Sequence, residues 1–178
     1  EISKWKTDVV ILGTKGHTCS REVVYGSNTV TLMAEIQRCP LLAVPANVNF
    51  TSLQEIVLAN SFKTELTQKD LDFLIHLSQK FQAPIRILRI AEEGGMNELQ
   101  KQNKRLLKEK LQNVVHSFHT LEYLSIPLGI YSFTESRGSE MIAFINKKHS
   151  FFENLLFDPF YKNLAHYSRV PVLVLHQP

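Results

Sequence analysis

Cysteine is scarce. The two present, Cys19 and Cys39, form no C-x-x-C pair and stand at no metal-type spacing from the histidines, so neither a disulfide framework nor a zinc site is indicated. Reduced thiols of this kind fit a cytoplasmic protein. Long apolar runs are also missing. Val9-Val10-Ile11-Leu12 and Val172-Leu173-Val174-Leu175 fall far short of the roughly 18 residues of a membrane span. The mixed opening residues show no secretory pattern. Neither sign of charge dominates, since 20 basic against 17 acidic residues leave a net charge of +3. The densest basic stretch, Lys101, Lys104, Arg105, Lys108 and Lys110, is interrupted by Glu109 and reads as a solvated helix face rather than a nucleic-acid surface. No GxxxxGK and no GxGxxG occurs, which removes the P-loop and dinucleotide fingerprints.

What is present is an internal repeat. Asp8-Val9-Val10-Ile11-Leu12 aligns with Glu140-Met141-Ile142-Ala143-Phe144, Lys15 with Lys147, and His17 with His149. After a one-residue slip, Pro40-Leu41-Leu42-Ala43-Val44 aligns with Pro171-Val172-Leu173-Val174-Leu175. The second copy is preceded by a long structured stretch and the first by only seven residues. If the copies are equivalent, the first lacks its opening half. The expected division is therefore residues 1–47 as the rear part of a first domain and residues 54–178 as a complete second one, joined by a polar linker.

Between the copies, Ile56-Val57-Leu58-Ala59 is a strand-type run. Thr67-Gln68-Lys69-Asp70 has the form of a capping box and opens a helix that carries Leu71, Leu74, Ile75 and Phe81 and is stopped by Pro84. Residues 85–90 read as a strand. After Gly94-Gly95, helical spacing of Leu107, Leu111, Val114, Val115 and Phe118 predicts a longer helix. Residues 121–126 are expected to form the next strand and residues 129–133 a short helix. Strands alternating with helices imply βαβ units, and right-handed crossovers reduce the topology to a doubly wound parallel α/β sheet of five strands, Rossmann-like. Ligands in such sheets sit beyond the carboxyl ends of the strands.

One loop meets that condition. Gly13-Thr14-Lys15-Gly16 follows the first strand, and after nine residues Gly26-Ser27 opens a helix. Glycines allow unusual backbone angles and close approach. Successive N–H groups can cradle an anion, and a helix start favours phosphate. In the second copy Gly13, Gly16, Gly26 and Ser27 become Ile145, Lys148, Asp158 and Pro159, each a change against anion binding. Lys147-Lys148-His149 with Phe151-Phe152 reads as a solvated loop beside core aromatics. His166 and His176 stand alone.

Gly13-x2-Gly16-x9-Gly26-Ser27 resembles the nucleotide motif G-2x-G-9x-G(S/T) of ATP-binding universal stress proteins, and Cys39-Pro40-Leu41-Leu42-Ala43-Val44-Pro45 resembles that family's closing strand. The resemblance covers essentially the whole chain. It implies a stress-response regulator that binds ATP, with or without magnesium, through Gly13, Gly16, Gly26 and Ser27, flanked by Thr14 and Asn28. Ser61 stands where the family's first-strand aspartate would be in the second copy. The resemblance further implies pairing of the two closing strands, residues 41–44 against 172–175, within the chain. The open edge of residues 9–12 leads to the expectation of a homo-oligomer that covers it. With no nucleophile, base or SGGxDS-type loop, no enzymatic role beyond slow ATP hydrolysis is expected. A nucleotide-free scaffold of the same fold is the alternative.

Overall fold

The computed structural model describes residues 7–14, 27–36, 38–46, 48, 50–91, 95–146 and 170–176. Among them the chain runs β1 (Val10–Gly13), α1 (Ser27–Glu35), β2 (Leu41–Val44), β3 (Ile56–Ala59), α2 (Gln68–Phe81), β4 (Ile85–Ile90), α3 (Glu98–Lys110), β5 (His116–Leu121), α4 (Ile126–Arg137), β6 (Met141–Asn146) and β7 (Val172–His176). This is a mixed α/β chain with seven mostly parallel strands. Two compact units are formed, Glu1–Phe50 with Phe144–Pro178 and Thr51–Ala143, the boundary falling within β6.

In the unit of residues 51–143 the strand order is β6-β3-β4-β5. Strands β3, β4 and β5 are parallel neighbours, with Ile56 beside Ile85 and Ile85 beside His116. The chain winds outward from β3 to β5, then returns through α4 to the other side of β3, the reversal that defines a doubly wound sheet. The continuous apolar run of β3 is buried along its whole length, as a central parallel strand requires.

Helix α2 begins as its sequence predicts. Thr67 accepts from the Asp70 amide at 3.3 Å, and the Asp70 carboxylate accepts from the Thr67 amide at 2.7 Å, two otherwise orphaned donors satisfied together. Gln82, left-handed at φ 55°, closes it two residues before Pro84. Helix α3 uses the same reciprocal device between Asn97 and Gln100.

Two expectations fail at the next elements and a third proves too short. The helix expected to carry Leu111, Val114, Val115 and Phe118 ends at Lys110, with Leu111 as its cap. The strand expected at residues 121–126 is instead β5, His116–Leu121. The short helix of residues 129–133 is α4, twelve residues long with a proline in its first turn. The reason is common to the first two. Residues of β5 are half-buried and mostly polar, so no apolar alternation marks them, and pairing with β4 overrides local periodicity.

In the other unit β1 and β2 are parallel, with Val10 beside Leu41 and Gly13 beside Val44. β2 pairs antiparallel with β7, Leu41 facing Val174 and Ala43 facing Val172. Met33, Leu41, Ala43, Phe144, Leu173 and Val174 form the buried centre. β1 is the terminal strand of the order β1-β2-β7-β6, and its Ile11 is 64% exposed.

Candidate functional site

The carboxyl end of β1 carries the motif. Gly13 is the last residue of the strand and Thr14 follows it, the Thr14 amide donating to the Val44 carbonyl at 3.1 Å. A Cβ built on Gly13 meets nothing within 4 Å, and its φ lies outside the left-handed region. The conformational freedom expected of this glycine is therefore not what the backbone uses. What glycine provides at this position is open space beside the main chain.

Thr14 is 1% exposed and its Oγ1 is buried without a hydrogen-bond partner. Such a group costs about 1–3 kcal/mol if nothing ever satisfies it, so an orphan at a strand end marks a position where a polar ligand atom would be welcome. Ser27 and Asn28 are the first two residues of α1. Thr29, one residue further, is buried and its hydroxyl donates to the Gly13 carbonyl at 3.4 Å, tying the first turn of α1 to the end of β1. Thr29 was not among the expected site residues. Its only signal is a hydroxyl two places after the Gly-Ser pair. Gly16 and Gly26, with Lys15, His17 and Cys19, lie outside the described residues, so the structure joins Gly13 and Thr14 to the α1 start and leaves the middle of the motif unaddressed.

The second copy ends its strand differently. Ile145 is 8% exposed and belongs to the apolar core. Asn146, which aligns with Thr14, donates from Nδ2 to the Met33 carbonyl at 3.1 Å, one of the last carbonyls of α1 and without an intrahelical partner. The turn after β3 is closed by its own unit. The Phe62 amide donates to Asn60 Oδ1 at 2.7 Å, Gln100 Nε2 donates to the Ser61 carbonyl at 2.8 Å, and Asn103 Nδ2 donates to the Phe62 carbonyl at 2.9 Å. Phe62 is buried there at φ 58°. Lys147, Lys148, His149, Phe151, Phe152, Asp158, Pro159 and His166 lie outside the described residues.

Among titratable groups, burial pushes the Cys39 thiol upward, and Asp8 adds to the shift, the reverse of what an activated nucleophile needs. His176 is buried with both ring nitrogens unpartnered, and desolvation lowers its pKa to about 4. Among the described residues no group of three or more His, Cys, Asp or Glu side chains could hold a metal ion. No described helix is long and apolar enough to cross a membrane.

No family model matches the chain, and no curated protein matches it in sequence. Solved structures do. A universal stress protein from Archaeoglobus fulgidus DSM 4304 superposes with a TM-score of 0.67 at 15% identity, over 96% of this chain and 61% of that one. The chain has the universal stress protein fold. A functionally unknown protein from Pseudomonas aeruginosa PAO1 shares it, with a TM-score of 0.62 at 10% identity over 96% of this chain and 63% of that one. A universal stress protein in complex with cAMP matches 72% of this chain and 100% of its own length, with a TM-score of 0.51 at 9% identity. The chain thus spans about three fifths of the length of the first two. At these identities the likeness establishes the universal stress protein fold, and the chemistry of the β1 loop has to be argued from its own residues.

Proposed function

We propose that this chain works as a tandem universal stress protein, a cytoplasmic stress-response regulator without enzymatic activity. Its first repeat, residues 1–47, would bind an adenine nucleotide, ATP with or without magnesium, and its second, residues 54–178, would serve pairing and interaction. Gly13, Gly16, Gly26 and Ser27 would hold the phosphates, with Thr14 and Asn28 beside them. The observation that carries this reading is the buried, unpartnered Thr14 hydroxyl next to a glycine whose Cβ position is open space. Backbone amides at the start of α1 add the dipole that favours phosphate. The cAMP in a structural neighbour supports adenine as the ligand class. Among the second repeat's turns, the buried Ile145 and the amide-closed turn after β3 oppose a second ligand site of the same kind.

A nucleotide-free scaffold is favoured by one different observation, the antiparallel β2/β7 ladder, which supports a role in joining repeats whether or not nucleotide binds. The edge of β1, with Ile11 exposed, would be covered in a homo-oligomer. Calorimetric titration of Mg-ATP into the chain and into Thr14→Val separates the readings. Micromolar binding that weakens at least tenfold in the variant, about 1.4 kcal/mol, supports nucleotide regulation. Equal affinity in the two would remove the site assignment, and no heat with either would favour the scaffold.

A further inference from the structure

Strand β4 carries two arginines in opposite circumstances. Arg86 is neutralised, its Nε donating to the Glu55 carboxylate at 2.6 Å and its Nη1 to Ser117 Oγ at 3.0 Å. Arg89 lies three residues further on. Side chains alternate along a strand, so it takes the other face of the sheet, where Lys104 of α3 sits 5.0 Å over the Phe118 ring of β5. Arg89 is only 5% exposed. Its Nη2 donates to the Gly95 carbonyl at 3.0 Å, and among the described residues that carbonyl is its one acceptor.

A guanidinium cannot shed its proton and carries a fork of N–H donors. Buried with a single carbonyl, it leaves most of its desolvation cost standing. The described carboxylates of the unit's neighbouring segments do not answer it. Glu65 binds Lys110 at 3.1 Å and Glu98 binds Lys101 at 2.7 Å. Asp70 turns Oδ2 to the Thr67 amide at 2.7 Å, and its buried Oδ1, without a partner, does not reach the guanidinium. Glu92 and Glu93 lie outside the described residues.

The place of Arg89 in the sheet matches its unmet charge. It stands next to the last residue of β4, beside Thr120 of β5 in register. On its other side Asn60 follows Ala59, the register partner of Leu88, and the Asn60 amide continues the ladder to the Leu88 carbonyl at 2.9 Å. Asn60, Arg89 and Thr120 therefore form a polar row across the carboxyl ends of three parallel strands, where sheets of this type receive ligands. Each member can donate. Asn60 Oδ1 already accepts from the Phe62 amide at 2.7 Å, which leaves its Nδ2 as the free end. Thr120 is exposed, unlike the half-buried residues beside it on β5, and opens the row to solvent.

We propose that Arg89 anchors an oxyanion site at the carboxyl ends of β3, β4 and β5, built for the phosphate group of a small ligand, with Asn60 and Thr120 as flanking donors. A carboxylate occupies both of its oxygens on a bidentate guanidinium fork, whereas a phosphate meets the fork and keeps oxygens for a donor on either side. This site is separate from the β1 loop and stands whether or not that loop binds nucleotide.

The test is an NMR titration of the wild-type chain with inorganic phosphate, followed at the Arg89 Nε–H resonance, with chloride holding the ionic strength constant. A saturable shift with a midpoint of about 5 mM or tighter is expected. In Thr120→Val the midpoint should weaken several-fold. In Arg89→Lys, which keeps the charge and loses the fork, the response followed at the Thr120 amide should weaken further. No saturable shift in the wild type would overturn the proposal, and so would an equal shift with chloride alone, the mark of a general ionic effect. A response that appears only in the double variant Glu92→Gln, Glu93→Gln would overturn it as well, because Arg89 would then be neutralised from within the chain. The wild-type titration decides the matter even if a variant fails to fold.

Discussion

Strands β1 and β6, which the sequence alignment sets side by side, end with opposite side-chain chemistry. β1 finishes in Gly13 and Thr14, one with open space where a Cβ would be and the other with a buried hydroxyl that nothing satisfies. β6 finishes in Ile145, which is core, and Asn146, which satisfies a carbonyl of α1. One strand end leaves unmet polar demand and unfilled space, whereas the other meets its demand within the protein. Unmet demand in a folded protein is where a ligand earns its affinity, because binding relieves a cost that folding left standing. Two strand ends that align in sequence can therefore differ completely in the polar demand they leave open.

Exchanging the strand-end residues should produce the largest effect and break the comparison if it is wrong. Ile145→Gly removes buried apolar surface and adds chain entropy, and is expected to cost about 3–5 kcal/mol in urea unfolding. Gly13→Ile, entering open space, should stay within about 1 kcal/mol. Equal costs would mean that the two ends are not packed differently.

Acid provides the next effect. His176 aligns with Pro45 of the first copy and is buried neutral, with a pKa of about 4. The unfolded chain takes up this proton first, so the His176 contribution is full above about pH 6.5 and falls away toward pH 4, by up to about 3 kcal/mol. His176→Leu should flatten that part of the profile, and a second loss below about pH 4.5 should remain, from Glu55, whose folded pKa is about 2. An unaltered profile in the variant would show that the buried ring is not the group responsible.

Closing the turn after β3 is expected to be worth somewhat less. Asn103→Ala leaves the buried Phe62 carbonyl without its side-chain donor and should cost about 1–3 kcal/mol. A cost near zero would imply that water replaces the amide and that the turn is more open than its hydrogen bonds suggest. The smallest stability change is expected at Thr14→Val, which removes an unpartnered hydroxyl while keeping its shape. Thermal unfolding should show no loss, or a gain of up to about 1 kcal/mol. A clear loss would reveal a partner for the hydroxyl and weaken its use as a ligand marker.

Much of the fold is legible in the residues themselves. The capping box at Thr67 and Asp70 starts α2 where its chemistry says, and the apolar runs at β1, β2, β3, β4, β6 and β7 are strands, because those signals are local. The polar composition of β5 hides it, and Leu111, Val114, Val115 and Phe118 fall at helical spacing although α3 ends at Lys110. At the candidate site, Gly13, Thr14 and the Gly-Ser helix start could be singled out from spacing. Thr29 could not, because its role depends on a carbonyl sixteen residues away. The conformational argument for Gly13 also did not survive, since the backbone there is one that any residue can adopt.

The sequence by itself determined the alternation of strands and helices and the alignment that sets Ile145 against Gly13, consequences of short-range periodicity and residue chemistry. Only the tertiary structure decided which strand pairs with which, that Asn146 caps α1, that Gln100 and Asn103 seal the turn after β3, and that the Thr14 hydroxyl has no partner. Satisfaction and burial are sums over neighbours distant in the chain, and no local pattern carries that sum.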